Sequence, residues 1–419
     1  MGRNGATGAA WLACGMLSAL LFIMPAQGRA SDAKILARLD AEQRRHYEVY
    51  RTARLMFDKE LERYWSEINA KRAERRHKRR AGEPFARHDY VLEHPPKYAG
   101  PPLRPDISRI IAAVKPPERE APLPTVGDFL RNAKEHYGFV PQTVNEREFK
   151  RRYAEEAIAV GLTKEQVVRI YALETGGRGT HDMQAGIDPE TKNGQAISSA
   201  LGYAQLLHAN SVSELVNHGG SFIDRLRAMA TAAGVEPKRT QELQAKASVL
   251  RAMLAVARGV PNEWSEHVRL AATPKGLAIH ALNLDGDVGP WLQVVKLRGL
   301  KDEAKRAGRG SLTGAEIELM NLAGPGTGLE MMEPLGRGVP TANFFSQGAY
   351  GRNPIVRDKT AGELLKAIEQ RMEVNVGKPG AVEFAQVFAE VLRRRTQTAR
   401  GATFGGQNLV GEAKGRLPP

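Results

Sequence analysis

The chain has 419 residues, with 61 Lys and Arg against 47 Asp and Glu, which gives a formal net charge of +14. This length allows one large domain or two ordinary ones, and 42% hydrophobic residues are enough for a sizeable core. A positive surplus of this size indicates an anionic partner: nucleic acid, acidic lipid or an anionic cell-wall polymer. The single cysteine excludes a framework of disulfides within the chain.

The N-terminal 30 residues are typical of a secretory signal. Arg3 precedes an apolar run over residues 9–24, and Gly28-Arg29-Ala30 forms a small-x-small cleavage site. We therefore expect an exported protein of the periplasm or cell wall that begins near Ser31 and lacks Cys14. No nucleic-acid partner is expected there. No other apolar run is long enough to span a membrane, so we predict no transmembrane span in the mature chain.

Two further segments precede the main helical region. Residues 31–82 predict a basic amphipathic helical extension, with Tyr50, Phe57 and Tyr64 on one face and a basic run at its end. This helix packs on the domain or on a partner, so an envelope protein could dock through residues 33–80. Residues 83–125 are rich in proline and predict a stiff linker or a strap across the surface.

From residue 126 to residue 398 the pattern predicts one mainly α domain, and residues 399–419 predict a Gly-rich, flexible tail. Residues 215–310 are interpreted as inserted helices within that domain. The candidate helices lie at residues 148–159, 163–174, 199–207, 221–233, 241–257, 313–321, 360–372 and 381–394.

The most informative of these helices ends on a glutamate. Thr163 and Gln166 form a capping box at its start, and Gly176 and Gly177 stop it directly after Glu174. Glu174 thus lies at the negative end of the helix dipole, which favours the protonated acid. A carboxylic acid that keeps its proton near neutral pH is what cleavage of a glycosidic bond requires. Taken alone, the position fits a solvated glutamate at a helix end better than a catalytic acid.

Three segments in order carry a resemblance to a known family. They read Ala-Leu-Glu-Thr-Gly-Gly over residues 172–177, Ser-Ser-Ala-Leu-Gly-Tyr-Ala-Gln-Leu-Leu over residues 198–207 and Met-Asn-Leu-Ala-Gly-Pro-Gly over residues 320–326. This order and spacing resemble the soluble lytic transglycosylases, relatives of goose-type lysozyme that share the SLT domain. Their motifs are Glu-Ser-Gly-Gly at a helix end, Gly-x-x-Gly-Leu-Met-Gln-Leu opening a helix, and Ala-Tyr-Asn-Ala-Gly-Pro. The resemblance covers roughly residues 150–330.

The resemblance implies a lysozyme-like fold and one catalytic acid. Glu174 would protonate the oxygen between N-acetylmuramic acid and N-acetylglucosamine, then take the proton of the C6 hydroxyl, leaving a 1,6-anhydro end without using water. The substrate would be peptidoglycan glycan strands, with no cofactor and no metal. The residues implied in substrate binding are Thr175, Gly202, Tyr203, Gln205, Asn321 and Gly324.

The chain departs from the family at several motif positions. Thr175 stands for serine, Ala204 for methionine, and Met320 for the usual tyrosine of the third motif. Tyr203 or Tyr350 could take the place of that tyrosine. Two site residues also have plainer interpretations, since Gln205 could lie on a helix surface and Asn321 could cap a helix beside Gly324.

Two other functions stay open from the sequence. Asp182, Asp188 or Glu190 in the loop after Glu174 could act as a second carboxylate, which would make the protein a hydrolytic muramidase. Such residues are more often solvated loop charges. The altered third motif would also suit a non-catalytic peptidoglycan-binding or scaffold protein of an envelope complex.

Overall fold

The computed structural model describes residues 32–115 and 122–411. The predicted signal segment with Cys14, residues 116–121 of the predicted linker and residues 412–419 lie outside the described residues. Within the described residues the regular structure is helical, and β pairing is confined to isolated bridges. The mainly α prediction is confirmed.

Sixteen α-helices, numbered here in chain order, account for most of the part of the chain that the structure describes. The first eight are α1 (Ala41–Ala81), α2 (Pro105–Val114), α3 (Val126–Tyr137), α4 (Glu146–Ala159), α5 (Lys164–Glu174), α6 (His208–Ala230), α7 (Pro237–Ala257) and α8 (Trp264–Ala271). The others are α9 (Pro274–His280), α10 (Val288–Arg306), α11 (Gly314–Ala323), α12 (Pro325–Met332), α13 (Pro334–Arg337), α14 (Gln347–Arg352), α15 (Ala361–Val376) and α16 (Pro379–Gly411). Short 3₁₀ helices lie at Arg87–Asp89, Ala281–Leu284 and Thr341–Asn343.

The packing divides the chain into two compact units. The large unit contains residues 123–325 together with the segment from residue 368 onward, and the small unit contains the described residues up to Pro122 together with residues 326–367. The sequence had indicated a single domain over residues 126–398. The packing instead groups residues 326–367 with the N-terminal segment.

The large unit encloses a core of apolar side chains. Helices α6 and α7 pair along their length, and α3, α9 and α10 pack against them. Buried Leu215, Leu250 and Leu292 come from three of these helices. The region interpreted as inserted helices thus supplies much of this core, and its burial is the main stabilising contribution to the unit.

A buried ionic network begins helix α10. Asp285 Oδ1 accepts hydrogen bonds of 3.0 Å from the amides of Asp287 and Val288. Lys246 Nζ lies between the two aspartates, 2.8 Å from Asp285 and 2.5 Å from Asp287. Because these side chains are almost fully buried, each charge has its partner within the protein. The segment Asp285-Gly286-Asp287 is therefore a helix-to-helix turn that leads into α10.

The small unit is organised on helix α1. A capping box between Asp40 and Gln43 begins the helix, and Gly82 ends it with a φ of 71°. Tyr47, Trp65 and Ile68 are buried within the unit. The apolar face predicted from the spacing therefore packs against other residues of this unit.

Part of the basic run at the end of α1 points inward. Arg75, which is 2% exposed, donates to Glu330 Oε1 at 2.7 Å, to the Asp89 carbonyl at 2.7 Å and to the Asn343 carbonyl at 2.5 Å. Arg79 also pairs with Glu330. The basic run is therefore partly an internal ionic network and not only a solvated surface.

Two predicted irregular segments contain helix. Within residues 83–125, α2 begins at Pro105, and Ile107 of this helix is fully buried. Proline is favourable at the first helical position because its missing N–H would have no partner there. Helix α16 continues to Gly411, into the segment predicted as a flexible tail.

None of the helices in the described residues combines the length and the apolar character needed to span a membrane.

Candidate functional site

Helix α5 has the ends that the sequence predicts. The Thr163 hydroxyl accepts the Gln166 amide at 3.2 Å, and the Gln166 side chain accepts the Thr163 amide at 3.0 Å. Glu174 is the last helical residue and is partly exposed. The next residue, Thr175, is buried, and its hydroxyl donates to the Tyr171 carbonyl at 2.7 Å. The hydroxyl of Thr175 thus closes the helix end on which Glu174 lies.

The glycine pair after Thr175 turns the chain sharply. Gly176 and Gly177 have φ values of 63° and 72°, a region that side chains other than glycine rarely adopt. A Cβ on Gly177 would overlap the Asn375 carbonyl oxygen. The Gly177 carbonyl in turn accepts the Ala381 amide at 3.1 Å. The turn beyond Glu174 is therefore held against the connection between α15 and α16.

Two carboxyl groups meet around one amide at the end of α5. Asn321 Nδ2, from α11, lies 3.5 Å from Glu174 Oε1 and 3.4 Å from Glu318 Oε1. The two carboxyl groups are thereby neighbours around the same side-chain amide. Residues from the first and third motifs, 147 positions apart, are thereby brought into contact.

The environment favours the protonated state of both acids. Burial raises the pKa of Glu174, and the Glu318 hydrogen bond, the charge of Arg371 and the Asn321 amide only partly oppose it. Burial and the neighbouring Glu174 charge hold the pKa of Glu318 well above its usual range. Glu318 is only 4% exposed. Like charges this close in a poorly solvated place disfavour double ionisation, so the pair retains a proton more readily than a free glutamate.

Glu318 was not among the residues singled out from the sequence. It stands in an apolar stretch, Ile317-Glu318-Leu319-Met320, three residues before Asn321. That spacing places both side chains on one face of the helix. A charged residue on the buried face of a helix, beside a motif residue, is the signal that could have revealed it.

The second motif forms a turn, so the helix predicted over residues 199–207 is wrong. Leu201 and Leu206 exchange backbone hydrogen bonds of 3.0 Å, and residues 202–205 form the loop between them. Gly202 has a φ of 78° and Gln205 a φ of 42°, which an α-helix does not allow. Helix α6 begins directly afterwards at His208.

The Met183 carbonyl joins this turn to the loop that follows Glu174. It accepts the Gly202 amide at 2.9 Å and the Gln205 side-chain amide at 3.2 Å. Gln205 Nε2 also donates to the Gly202 carbonyl at 2.8 Å. Gly202 packs closely on buried Gln293, whose side-chain oxygen accepts the Ala204 amide at 3.0 Å. Gln205 therefore holds the turn itself, and it does not lie on a helix surface.

Tyr203 points into the interior of the large unit. It is 1% exposed, and its ring packs edge-on against Tyr171, with ring centres 4.9 Å apart. Its hydroxyl donates to Glu146 Oε2 at 2.5 Å. His181 Nδ1 lies 2.5 Å from the other oxygen of Glu146. Glu146 thus ties the second-motif turn to the loop that follows Glu174.

The remaining predicted site residues lie at helix ends or in the small unit. Gly324 caps α11 with a φ of 86°, so Asn321 lies within the helix and is not its cap. Met320, at the usual tyrosine position, is fully buried. Tyr350 belongs to the small unit, where its hydroxyl accepts the Asp358 amide at 2.8 Å.

The three loop residues that the sequence offered as a second carboxylate are Asp182, Asp188 and Glu190. The contacts of Asp182 and Asp188 lie within their own loop. Asp182 contacts the Thr180 hydroxyl at 2.5 Å and Lys192 at 3.1 Å. Burial alone would raise the pKa of Asp182, but these two partners outweigh it and lower it. The Asp188 carboxylate accepts amides of its own turn, including that of Glu190 at 3.0 Å. Among the described residues, Glu174 contacts Asn321 and forms no hydrogen bond with any of these three side chains.

Comparisons of the chain with family models, with curated proteins and with solved structures found no match.

Proposed function

We propose that the protein is an exported peptidoglycan lytic transglycosylase in which Glu174 is the general acid and base. The observation that carries this proposal is the contact between Glu174 of the first motif and Asn321 of the third, 3.5 Å apart. Burial raises the pKa of Glu174, as a general acid working near neutral pH requires. The lysozyme-like fold, with a basic helical extension, is part of the same proposal.

The proposed reaction needs no second carboxylate across the scissile bond. Glu174 gives its proton to the leaving oxygen as the bond between C1 of N-acetylmuramic acid and that oxygen breaks. The acetamido oxygen of the same sugar supports the positive C1 centre. Glu174 then takes the proton of the C6 hydroxyl while O6 bonds to C1, which restores the acid and leaves a 1,6-anhydro end. Asn321 steadies the carboxyl group through both proton transfers.

The position of Glu318 supports this reaction over hydrolysis with two carboxylates. Carboxyl groups that flank a sugar bond stand about 5–5.5 Å apart in retaining enzymes and about 6.5–9.5 Å apart in inverting ones. Glu318 and Glu174 instead contact one and the same amide, that of Asn321, at 3.4 Å and 3.5 Å. Asp182 is held by Lys192 and Thr180 in the loop. Glu318 therefore lies beside the acid, where it cannot stand on the opposite face of a sugar ring.

The other motif residues support the site from the protein side. Gly202 and Gln205 shape the turn that is tied to the loop after Glu174, so this turn would present its backbone to the sugar. Thr175 and Gly324 set the ends of α5 and α11. The formal charge of +14 suits an anionic polymer as the substrate surface.

Digestion of purified peptidoglycan, followed by mass analysis of the soluble products, tests the proposal. The protein should release 1,6-anhydro muropeptides, and Glu174→Gln should release fewer by at least about 10³-fold, since the amide has no proton to give. Glu165→Gln is the matched control at the other end of α5. Glu165 accepts the Gly314 amide, a role that glutamine keeps, so this variant should retain wild-type activity.

The product class separates the alternatives. Products with reducing ends would replace the proposal with a hydrolytic muramidase. A protein that sediments with the wall but releases nothing would be a binding or scaffold protein. Equal release by the wild type and Glu174→Gln would remove Glu174 from the reaction.

A further inference from the structure

We propose that Glu318 is a positioning residue that shares one proton with Glu174, so that the two carboxyl groups act as a single acid. This inference rests on the proposed function, in which Glu174 is the proton donor. It assigns a role to a residue outside the three recognised motif positions.

The geometry places both carboxyl groups on the same hydrogen-bond donor. Asn321 Nδ2 lies 3.5 Å from Glu174 Oε1, and 3.4 Å and 3.5 Å from the two oxygens of Glu318. These are long hydrogen bonds, and a single amide cannot neutralise two negative charges. A proton between the carboxyl groups supplies the missing donor. The pair then carries one negative charge, and Asn321 is enough to hold it.

The surrounding charges do not remove the need for that proton. Lys296 of α10 acts on Glu318, and Arg371 of α15 acts on Glu174, but in the described part of the chain neither forms a direct ion pair with the two acids. Arg371 is exposed, which screens its effect. The charge of Lys296 also acts on buried Glu214 of α6. Two like charges this close together in a poorly solvated place repel each other strongly.

Sharing a proton with Glu318 changes the pH range in which Glu174 can act as an acid. A single glutamate at the end of α5 would lose its proton over one pH interval. A coupled pair loses its last proton at a higher pH, because that step creates two adjacent negative charges. The last proton leaves to the glycosidic oxygen, the pair is briefly doubly charged beside the positive C1 centre, and the C6 hydroxyl proton returns it to one charge. Glu318 thereby keeps Glu174 supplied with a proton at neutral pH.

The pH dependence of peptidoglycan cleavage tests this role. In Glu318→Gln the alkaline midpoint of kcat/KM should move to lower pH by about one unit or more, because only one titrating carboxyl remains. Activity near pH 8 should then fall roughly tenfold, while activity near pH 5 should stay within about twofold of the wild type. Glu316→Gln, on the same helix, is the matched control: glutamine keeps its bond to the Thr313 amide, and the profile should not move.

A merely structural role would lower activity equally at every pH and leave the midpoint in place, which would overturn the inference while the proposed function stands. ¹³C NMR titration of glutamate side-chain carboxyls in the wild-type protein gives a readout that needs neither activity nor a folded Glu318 variant. The carboxyl resonance that disappears in Glu174→Gln should titrate in two steps. A single step in the ordinary glutamate range would reject proton sharing. Absence of anhydro products with a two-step titration would reject the proposed function alone.

Discussion

At the scale of single residues, the two glycines after Glu174 are needed for different physical reasons, namely backbone conformation and lack of space for a side chain. Gly176 and Gly177 both have positive φ, but only Gly177 faces backbone, namely the Asn375 carbonyl. A Cβ on Gly176 meets open space. The first glycine is therefore needed for its conformation alone, and the second for its conformation and its lack of volume.

We therefore expect Gly176→Ala to lower the free energy of unfolding of the large unit by about 1 kcal/mol, the cost of a left-handed residue with a side chain. Gly177→Ala should cost roughly 3 kcal/mol, because overlap with the Asn375 backbone adds to that cost. Denaturant unfolding of the two variants measures the difference. Equal midpoints would contradict the close approach at Gly177.

Glu214 makes the stability of the large unit depend on pH. Burial raises its pKa from 4.5 to about 7, and Lys296 offsets this only in part. His218 Nε2 lies 3.6 Å from its carboxylate. Because the folded pKa is raised, the stabilising contribution is complete below the unfolded value and is lost as the pH rises through about 7.

From pH 5 to pH 8, the free energy of unfolding should therefore fall by about 2 kcal/mol more in the wild type than in Glu214→Gln. Asp224→Asn, which changes an exposed acid on the same helix, should follow the wild type. Unfolding curves at the two pH values measure both. A Glu214→Gln variant whose loss of stability matched that of the wild type would show that Glu214 titrates normally in the folded state.

At the scale of elements, capping boxes and apolar spacing predicted helices α4 and α5 closely, because those signals are local, whereas α3, α8, α9 and α10 were not among the predicted helices. Thr163 and Gln166 mark the start of α5 as predicted, and Glu174 is its last residue. The helix predicted over the second motif was wrong, because a short apolar run fits a buried helix and a buried β-bridge equally. Gly202 and Gln205 settle the choice through positive φ, which depends on contacts with Met183 and Gln293 elsewhere in the fold.

Helix α1 depends on one buried arginine for its place in the small unit. Arg75→Met should lower the stability of this unit by about 3–5 kcal/mol, because the buried Glu330 carboxylate loses its ion pair with Arg75 and keeps the one with Arg79. Arg76→Met removes an exposed charge one residue away and should change stability by less than about 0.5 kcal/mol.

Hydrogen exchange of the amides in α1 and α12 measures this difference. The double variant Arg75→Met with Glu330→Gln should recover part of the loss, since the unpaired charge is then gone. Equal protection in the Arg75 and Arg76 variants would show that the buried network contributes nothing.

At the scale of the whole molecule, the sequence predicted the helical class but not the division into units. The resemblance implies that Glu174 and Asn321 belong to one site, and the structure brings these two side chains within 3.5 Å of each other, but their roles in that site stay a prediction. The grouping of residues 326–367 with α1 depends on Arg75 and Glu330, which are 255 positions apart. No local pattern contains a contact of that span. Glu318 was not predicted as a site residue for a related reason, since its burial depends on helices that are distant in the chain.

The division into units also bears on folding, because each unit is assembled from segments far apart in the chain. Arg75 pairs with Glu330, and helices α4 and α5 pack against α16, which follows them by about 200 residues. Neither unit can therefore be complete until most of the chain has been synthesised. Contacts of such long range form slowly and leave apolar surface open in the meantime. In the exported protein proposed above, slow folding would have a use, because a chain that is threaded through a secretion channel must stay unfolded. Because the segments of the two units alternate along the chain, the protein would then stay in a transportable state until it reaches the compartment that the first 30 residues predict.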